Sequence, residues 1–291
     1  MPEQPVLEYS QFSKSASVIW LTAAYLAATW IFYYTSNSFA WTGLIPAAAI
    51  ADIAATLIVF GFSLGFDNTS VYDPYWSVAP LWVVAFLMSR NAGTITIRQG
   101  AVVCLVAVWA IRLTWNCLLR WQGMGDEDWR YRAHRHRRGY WIFSLIFLQM
   151  FPTLVVLAAC LPLFTVFSPL SDPLNGFDLA ALCLTSLAIL LETLADRELR
   201  ISAGGEGKRL VSSGVWKLFR HPNYTGEVAF WWGLYLFGLA AGRESIWTVA
   251  GPVIMTMLFV FISVPMMDRH MREHYPDYFY RCRTLPLRPF L

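Results

Sequence analysis

Long apolar segments alternate with short polar ones along the whole chain. A helix that crosses a membrane needs about 20 mostly apolar residues. Segments that approach or reach this length are residues 16–38, 43–66, 76–89, 100–120, 141–166, 176–196, 226–241 and 246–266. The third and seventh are short, so we expect them to tilt, to be capped by other helices or to be partly re-entrant. The pattern predicts an all-α, polytopic transmembrane helical bundle of about seven to eight spans.

The composition supports this interpretation. The chain has 291 residues, of which 57% are hydrophobic and 14% are charged, whereas soluble domains carry about 25% charged residues. The first apolar segment follows a start with two acids and precedes no small-residue cleavage site, so it is not a removable signal peptide. No repeat or soluble linker interrupts the chain. We therefore expect a single integral membrane domain over residues 1–291.

The cysteines form no recognisable framework. None of the five forms a CxxC pair, and four lie in apolar segments. They are Cys104, Cys117, Cys160, Cys183 and Cys282. We expect small buried side chains, with no disulfide framework and no metal site.

Basic residues concentrate in three polar segments. Residues 120–139, 197–220 and 269–288 hold six, six and five of the 22 lysines and arginines. Eight alternating spans would place these segments on one side, together with the N-terminus and residues 67–75. The positive-inside rule makes that side cytoplasmic, in the endoplasmic reticulum or a bacterial inner membrane. The simplest alternative is that these arginines only set the topology.

The same segments carry more than charge. "GDEDWRYRAHRHRRGYW" mixes acids, arginines, histidines and aromatic residues, and residues 204–214 add four glycines. Arginine side chains match phosphate geometry, aromatic faces stack on planar bases, and glycines allow close backbone approach. The set indicates a pocket for a phosphate-bearing, adenine-like ligand. A surface that only faces anionic lipids would not need acids close by.

Ionisable residues also lie inside the apolar segments or at their ends, where they are costly in lipid and are functional candidates. They are Asp52, Arg112, Glu192, Asp196 and Glu227. Helical spacing places Arg112, Asn116 and Arg120 on one face, and Glu192 and Asp196 one turn apart. These polar stripes are typical of the walls of a cofactor site. The alternative is a set of ion pairs that only hold helices together.

These residues also carry a resemblance to a known family. From about Leu190 onward the chain resembles the C-terminal domain of the steroid 5α-reductase family, and most closely its DUF1295-like subgroup of uncharacterised prokaryotic and protist relatives. The matching motifs are "ADRELR", "GEGKRLVSSGVWKLFRHPNYTGEVAFWWGLYL" and "MREHYPDYFYRCRTLPLRPFL", and "RLTWNCLLRW" with "EDWRYR" extends the match back to about residue 107. Residues 107–291 thus form the reductase-like core, while residues 1–70 match poorly. The pattern RHPNYxGE is shared with sterol C14 and C24 reductases.

The resemblance implies packed helices that hold NADPH in a cavity open to the cytoplasm. It also implies an oxidoreductase that passes a hydride to the β-carbon of a conjugated enone, in a steroid-like or isoprenoid lipid-soluble substrate. The implied NADPH contacts are Arg112, Asn116, Arg120, Glu192, Asp196, Arg200, Arg209, Arg220, His221, Asn223, Tyr224 and Glu227. The expected partners are this substrate and membrane lipids, with no nucleic acid and no obligate protein partner.

Other functions stay open at this point. A looser RHPxYxG pattern occurs in isoprenylcysteine carboxyl methyltransferases, which bind S-adenosylmethionine. The alternative enzyme is therefore a lipid or isoprenylcysteine-type membrane methyltransferase. A third hypothesis is a lipid-binding protein without catalysis, against which the retention of the whole polar set argues.

The family's proton donor has a counterpart in "NTSVYDPYWSVAPLW". The resemblance aligns Tyr72 with a family glutamine and Asp73 with a family carboxylic acid, which would donate a hydrogen bond to the enone oxygen. Tyr72 or Tyr75 could supply a phenolic donor instead. A family tyrosine falls at Trp109, whose indole N–H donates but cannot relay a proton. The alternative for "YDPYW" is an interfacial aromatic belt closed by a turn at Asp73 and Pro74.

Overall fold

The computed structural model describes residues 13–91, 93–203, 211, 213–275 and 278, and this part of the chain is helical with no strand. Each apolar segment predicted from the sequence is a helix. These helices are α1 Lys14–Ser38, α2 Leu44–Gly65, α3 Tyr75–Arg90, α4 Ile97–Arg120, α5 Tyr140–Val166, α6 Gly176–Ala203, α7 Pro222–Ala241 and α8 Arg243–His274. The prediction of an all-α, polytopic membrane fold is confirmed.

Six of these helices are long and apolar enough to cross a membrane, namely α1, α2, α4, α5, α6 and α8. The exceptions are the two short segments, α3 and α7. Helix α3 has 16 residues, which extend for about 24 Å, less than the ~30 Å of a bilayer core. Helix α7 is buried along most of its length, so it needs no continuous lipid-facing surface. The number of spans therefore depends on these two helices.

The chain forms two compact units. The first comprises residues 1–90 and 113–157, and the second residues 91–112 and 158–291. The chain passes from one unit to the other after α3, within α4 and within α5. The prediction of one integral membrane domain over residues 1–291 stays a prediction.

In the first unit α1 packs against α2 through small side chains. Ala24 and Ala28 of α1 are fully buried, as are Ala47, Ala51 and Ala55 of α2. The four-residue spacing within each set keeps its members on one helix face. Small side chains let two backbones approach closely, which is how helices pack when lipid removes the hydrophobic driving force.

The second unit contains a buried arginine whose hydrogen-bonding groups are well matched. Arg98, in the first turn of α4, is 3% exposed. It binds both carboxylate oxygens of Asp178 at 2.6 and 2.8 Å and the carbonyl oxygens of Asp172 and Ala240 at 2.7 and 2.9 Å. One side chain thus ties the start of α4 to the start of α6 and the end of α7.

The described cysteines only partly match their predicted setting. All four are free. Cys160 is buried, but Cys104 and Cys183 are exposed, so the prediction of buried side chains is wrong for these two. A helix in lipid turns apolar residues outward as well as inward, so an apolar neighbourhood in the sequence does not imply burial.

Helix α8 packs closely on α5 where a glycine removes the side chain. A Cβ atom on Gly251 would clash with the carbonyl oxygen of Ala158 and lie 2.9 Å from Cα of Ala159. Both are backbone atoms, which cannot move aside without shifting a helix. A Cβ atom added to Gly61 in α2, by contrast, would lie in open space.

We expect Gly251→Ala to destabilise the protein by about 1–3 kcal/mol, the usual cost of overpacking. The matched control, Gly61→Ala, should be neutral or slightly stabilising because alanine favours helix over glycine. Thermal unfolding of both variants in the same detergent measures the difference. Equal melting temperatures for the two variants would contradict the close packing at Gly251.

Candidate functional site

Arg112, whose side chain is 13% exposed, lies beside three carboxyl groups in the second unit. Its Nη1 atom donates to Asp196 at 2.7 Å, and its Nη2 atom is ion-paired with Glu192. The carboxyl of Glu192 lies beside that of Glu227. We call these four residues the Arg112 cluster. The predicted convergence of α4 with the polar end of α6 is thus present for Arg112, Glu192 and Asp196.

Local structure explains how these carboxyl groups come together. Glu192 and Asp196 lie one turn apart on α6, so they share a face. Gly226 precedes Glu227 on α7, and a Cβ atom there would clash with Glu192 and lie 3.0 Å from the Ala188 carbonyl oxygen. The absent side chain therefore leaves room for Glu192 between the two helices.

Two tryptophans hold the carboxylate of Glu227. The indole N–H of Trp231 donates to Oε1 at 3.0 Å, and that of Trp109 donates to Oε2 at 3.2 Å. Trp109 is the position where the resemblance would place a tyrosine. In this chain the indole is a donor to a buried acid, which is a role that requires no proton transfer.

The Arg112 cluster is incompletely hydrogen-bonded. One guanidinium faces three carboxyl groups. Neither the Nε atom of Arg112 nor the Oε1 atom of Glu192 has a hydrogen-bond partner. Nearby on α7, the buried Oδ1 atom of Asn223 is also without one. Unpartnered buried polar atoms are uncommon in proteins, so this cluster is a candidate ligand-binding site.

A second group surrounds Asp268 of α8. Its carboxylate is ion-paired with Arg220, accepts from Tyr278 at 2.7 Å and contacts Nε2 of His221 at 2.9 Å. We call these four residues the Asp268 cluster. Burial, with the neighbouring Arg220 charge, lowers the pKa of His221 to about 3, so the ring is neutral. Its Nε2–H therefore donates to Asp268.

The remaining predicted cofactor residues have varied positions. Tyr224 lies next to His221 with ring centroids 5.3 Å apart. Asn116 is buried in the part of α4 that belongs to the first unit, while Arg120 at the end of α4 is exposed. Arg200 is exposed on the last turns of α6. Arg209 lies outside the described residues.

The predicted catalytic acid, Asp73, lies in the first unit. It contacts Tyr131, which is not among the predicted catalytic residues. The hydroxyl of Tyr131 donates to Oδ1 of Asp73 at 2.5 Å, and Nη2 of Arg130 lies 3.5 Å from the same oxygen. We call Asp73 and Tyr131 the Asp73 pair. Tyr131 lies within "EDWRYR", a motif that carried the family resemblance, and this was the only signal available for it.

Two short helical turns bring the Asp73 pair together. The turn Thr69–Tyr72 ends at Asp73, and the turn Trp129–Arg132 contains Tyr131. The backbone N–H of Asp128 donates to the Ser70 hydroxyl at 2.8 Å, which fixes one turn against the other. Asp128 also caps its own turn by accepting from the N–H of Arg130 at 2.9 Å.

Burial sets the protonation of the Asp73 pair. It raises the pKa of Asp73 to about 6, against the opposing charge of Arg130. It also raises the pKa of Tyr131 well above its usual value, so the phenol keeps its proton. An acid that titrates near neutral pH beside a fixed donor is the arrangement expected of a proton donor.

The other two catalytic candidates are engaged elsewhere. Tyr72 and Tyr75 are fully buried and stack with ring centroids 5.0 Å apart. The Tyr72 hydroxyl is hydrogen-bonded to Thr153 at 2.8 Å, and the Tyr75 hydroxyl donates to Asp52 at 2.7 Å. The structure thus gives both phenols partners inside the first unit.

Comparison with known proteins places the chain among relatives without an assigned function. A protein from Schizosaccharomyces pombe, described as "Uncharacterized protein C594.04c", is 24% identical over an alignment of 275 positions. The alignment covers 85% of this chain and 78% of the relative. No solved structure matches the chain significantly. The sequence profile of the family "Protein of unknown function (DUF1295)" matches residues 59–283. This match begins well before the reductase-like core expected from residue 107, includes the Asp73 pair and the Arg112 cluster, and spans most of the chain. The protein therefore belongs to the DUF1295 family.

Proposed function

We propose that this protein is an NADPH-dependent membrane reductase of a conjugated carbon–carbon double bond in a lipid-soluble, steroid-like or isoprenoid enone. The proposal rests on the Asp73 pair, since reduction of an enone needs a proton donor. The resemblance of the C-terminal motifs to the steroid 5α-reductase family supports the same class of reaction.

The Asp73 pair has the properties of a general acid. With Asp73 protonated, one carboxyl oxygen accepts from Tyr131, and the other can donate its proton to a carbonyl oxygen. As a hydride adds to the β-carbon, the electron pair of the double bond moves toward that oxygen, which this donor stabilises. The α-carbon of the resulting enol then takes up a proton from water while the enol oxygen gives up its proton, and the saturated ketone forms.

The surroundings of Asp73 also suit the state after proton donation. The resulting carboxylate remains hydrogen-bonded to Tyr131 and close to the positive charge of Arg130. The side chain is 19% exposed, so water can return the proton. These features allow repeated turnover without a second acid.

The Arg112 cluster fits the nucleoside parts of a dinucleotide. Its excess carboxyl oxygens, with Oδ1 of Asn223, are acceptors for ribose hydroxyls and for an amide or amine N–H. NADPH, when bound, supplies the hydride for the reduction. Its phosphates need cations, and Lys208 and Arg209, which lie outside the described residues, would supply them in "GEGKR".

One observation favours the alternative enzyme. Three carboxyl groups against one guanidinium suit a cationic ligand, and S-adenosylmethionine carries a sulfonium and an ammonium group. Methyl transfer to a nucleophile, however, has no step that uses an acid such as the Asp73 pair. The two cofactors therefore give distinct predictions for the two groups of residues.

We expect NADPH to stabilise the purified protein at much lower concentrations than NADH or S-adenosylmethionine. The reason is that the 2′-phosphate of NADPH adds a dianion for arginine to bind. Thermal-shift titration measures this. Glu227→Gln and Asn223→Ala should weaken NADPH binding, while Asp73→Asn should leave it nearly unchanged. Stabilisation by S-adenosylmethionine alone would exclude the reductase and support the methyltransferase.

The Asp73 pair predicts a pH profile for enone reduction. The protonated acid is the active form, so turnover of the wild type should fall as pH rises above about 6. Asp73→Asn should lower turnover by a factor of about 10²–10³ and remove this fall in turnover with rising pH. Tyr131→Phe should shift the fall in turnover to higher pH. The Tyr131 hydrogen bond stabilises the ionised Asp73 carboxylate, so its loss raises the pKa of Asp73.

The controls for this experiment are Tyr72→Phe and Tyr75→Phe, whose hydroxyls are engaged with Thr153 and Asp52. They should keep the wild-type profile if they remain folded. A screen of steroid and isoprenoid enones by NADPH oxidation must first provide a substrate. If Asp73→Asn keeps full activity and either tyrosine variant is inactive, the acid is wrongly assigned.

We further propose that the basic segments face the cytoplasm, which requires α3 and α7 to cross the membrane. Eight crossings place Ser13, Ala133 and Ser213 on one side. Six crossings, without α3 and α7, would place Ala133 and Ser213 opposite to Ser13 and leave basic segments outside.

Single cysteines in a variant without native cysteines test this proposal in intact cells. We expect an impermeant reagent to leave Ser13→Cys, Ala133→Cys and Ser213→Cys unlabelled. The control Leu170→Cys lies on an exposed side chain after α5 and should label from outside. Labelling at Ala133 or Ser213 would refute the eight-span orientation.

A further inference from the structure

We propose that the last turns of α8 bind a divalent transition-metal ion through His270, Glu273 and His274. One ligand atom from each side chain lies within 4.8 Å of the other two. His270 is half-buried, and Glu273 and His274 are exposed, so an ion can reach them from water. The site shares no residue with the Arg112 cluster or the Asp73 pair, and it does not depend on the proposed reductase activity.

The helix itself brings these ligands together. Residues at positions i, i+3 and i+4 share one face, and these three residues have that spacing. The imidazole rings of His270 and His274 have centroids 4.2 Å apart. Ligand atoms around a metal with bonds of about 2.0–2.1 Å lie closer than 4.8 Å, so small side-chain rotations complete the site without moving the backbone.

A hydrogen bond orients one ligand. Nδ1 of His274 lies 2.8 Å from the carbonyl oxygen of His270. A carbonyl oxygen only accepts, so Nδ1 carries the proton and Nε2 keeps its lone pair free for a metal. Such a bond from the second ring nitrogen to a backbone carbonyl is the usual support of a metal-binding histidine.

The charge around the site permits a cation. Glu273 supplies a negative ligand, and Arg272 falls on another face of the helix by its spacing. Arg269, four residues before Glu273, lies on the same side of the helix as that carboxylate. Two imidazoles and one carboxylate suit Zn²⁺, with a fourth position open to water. The prediction of no metal site rests on the cysteine pattern, whereas the ligands proposed here are two histidines and a glutamate.

Metal binding would fix the end of α8 in helical form, because the ligands span one turn. This turn directly follows Asp268, whose carboxylate holds Arg220, His221 and Tyr278. An ion at His270, Glu273 and His274 would therefore stabilise the part of α8 that supports the Asp268 cluster.

Calorimetric titration with Zn²⁺ tests the proposal on the full-length protein, after removal of any purification tag. We expect one Zn²⁺ per chain and a rise in melting temperature. His274→Ala should weaken binding at least tenfold, and Glu273→Gln should weaken it less. His136→Ala removes an exposed histidine elsewhere and should change nothing.

Cobalt gives an independent readout. Co²⁺ bound at this site should show the visible absorption of a low-coordinate histidine complex, which Zn²⁺ should abolish by displacement. Circular dichroism checks that each variant keeps the wild-type helix content, as expected for exposed side chains. No saturable Zn²⁺ binding to the wild type, or equal binding to the wild type and to His274→Ala, would overturn the proposal.

Discussion

The cost of burying charge among apolar helices is the constraint on which this structure depends. An arginine away from water must find partners for its guanidinium within the protein. Arg98 does so with a bidentate carboxylate and backbone carbonyl oxygens at helix ends. These hydrogen bonds join the start of α4 to the start of α6 and the end of α7 within the second unit. The need of one buried guanidinium for partners thus fixes the relative positions of three helix ends.

The same constraint separates a structural group from a functional one. Arg98 has one carboxylate and many neutral acceptors, so its charge is balanced and its donors are used. Arg112 faces three carboxyl groups, and its Nε atom has no hydrogen-bond partner. This unpartnered buried atom argues for a ligand.

The sequence predicted well what helical periodicity determines. Apolar length located all eight helices, and the four-residue spacing of Glu192 and Asp196 put both on the face that meets Arg112. Contacts between distant segments could not be predicted in this way. Tyr131 reaches Asp73 only because Ser70 and Asp128 join two turns, and Asp268 meets His221 from another helix. In the sequence, Asp268 is marked only by its position as an acid directly after the apolar residues of "SVPMMDRH".

The departure at Trp109 has a physical consequence for the proposed chemistry. A tyrosine hydroxyl can both donate and accept, whereas an indole N–H only donates. In this chain that donor is engaged with Glu227, which also accepts from Trp231. The exchange thus strengthens the hold on a buried carboxylate and removes a group that could pass on a proton. In the proposed reduction the proton would then come from another residue, and among the described candidates Asp73 combines a pKa of about 6 with access to water.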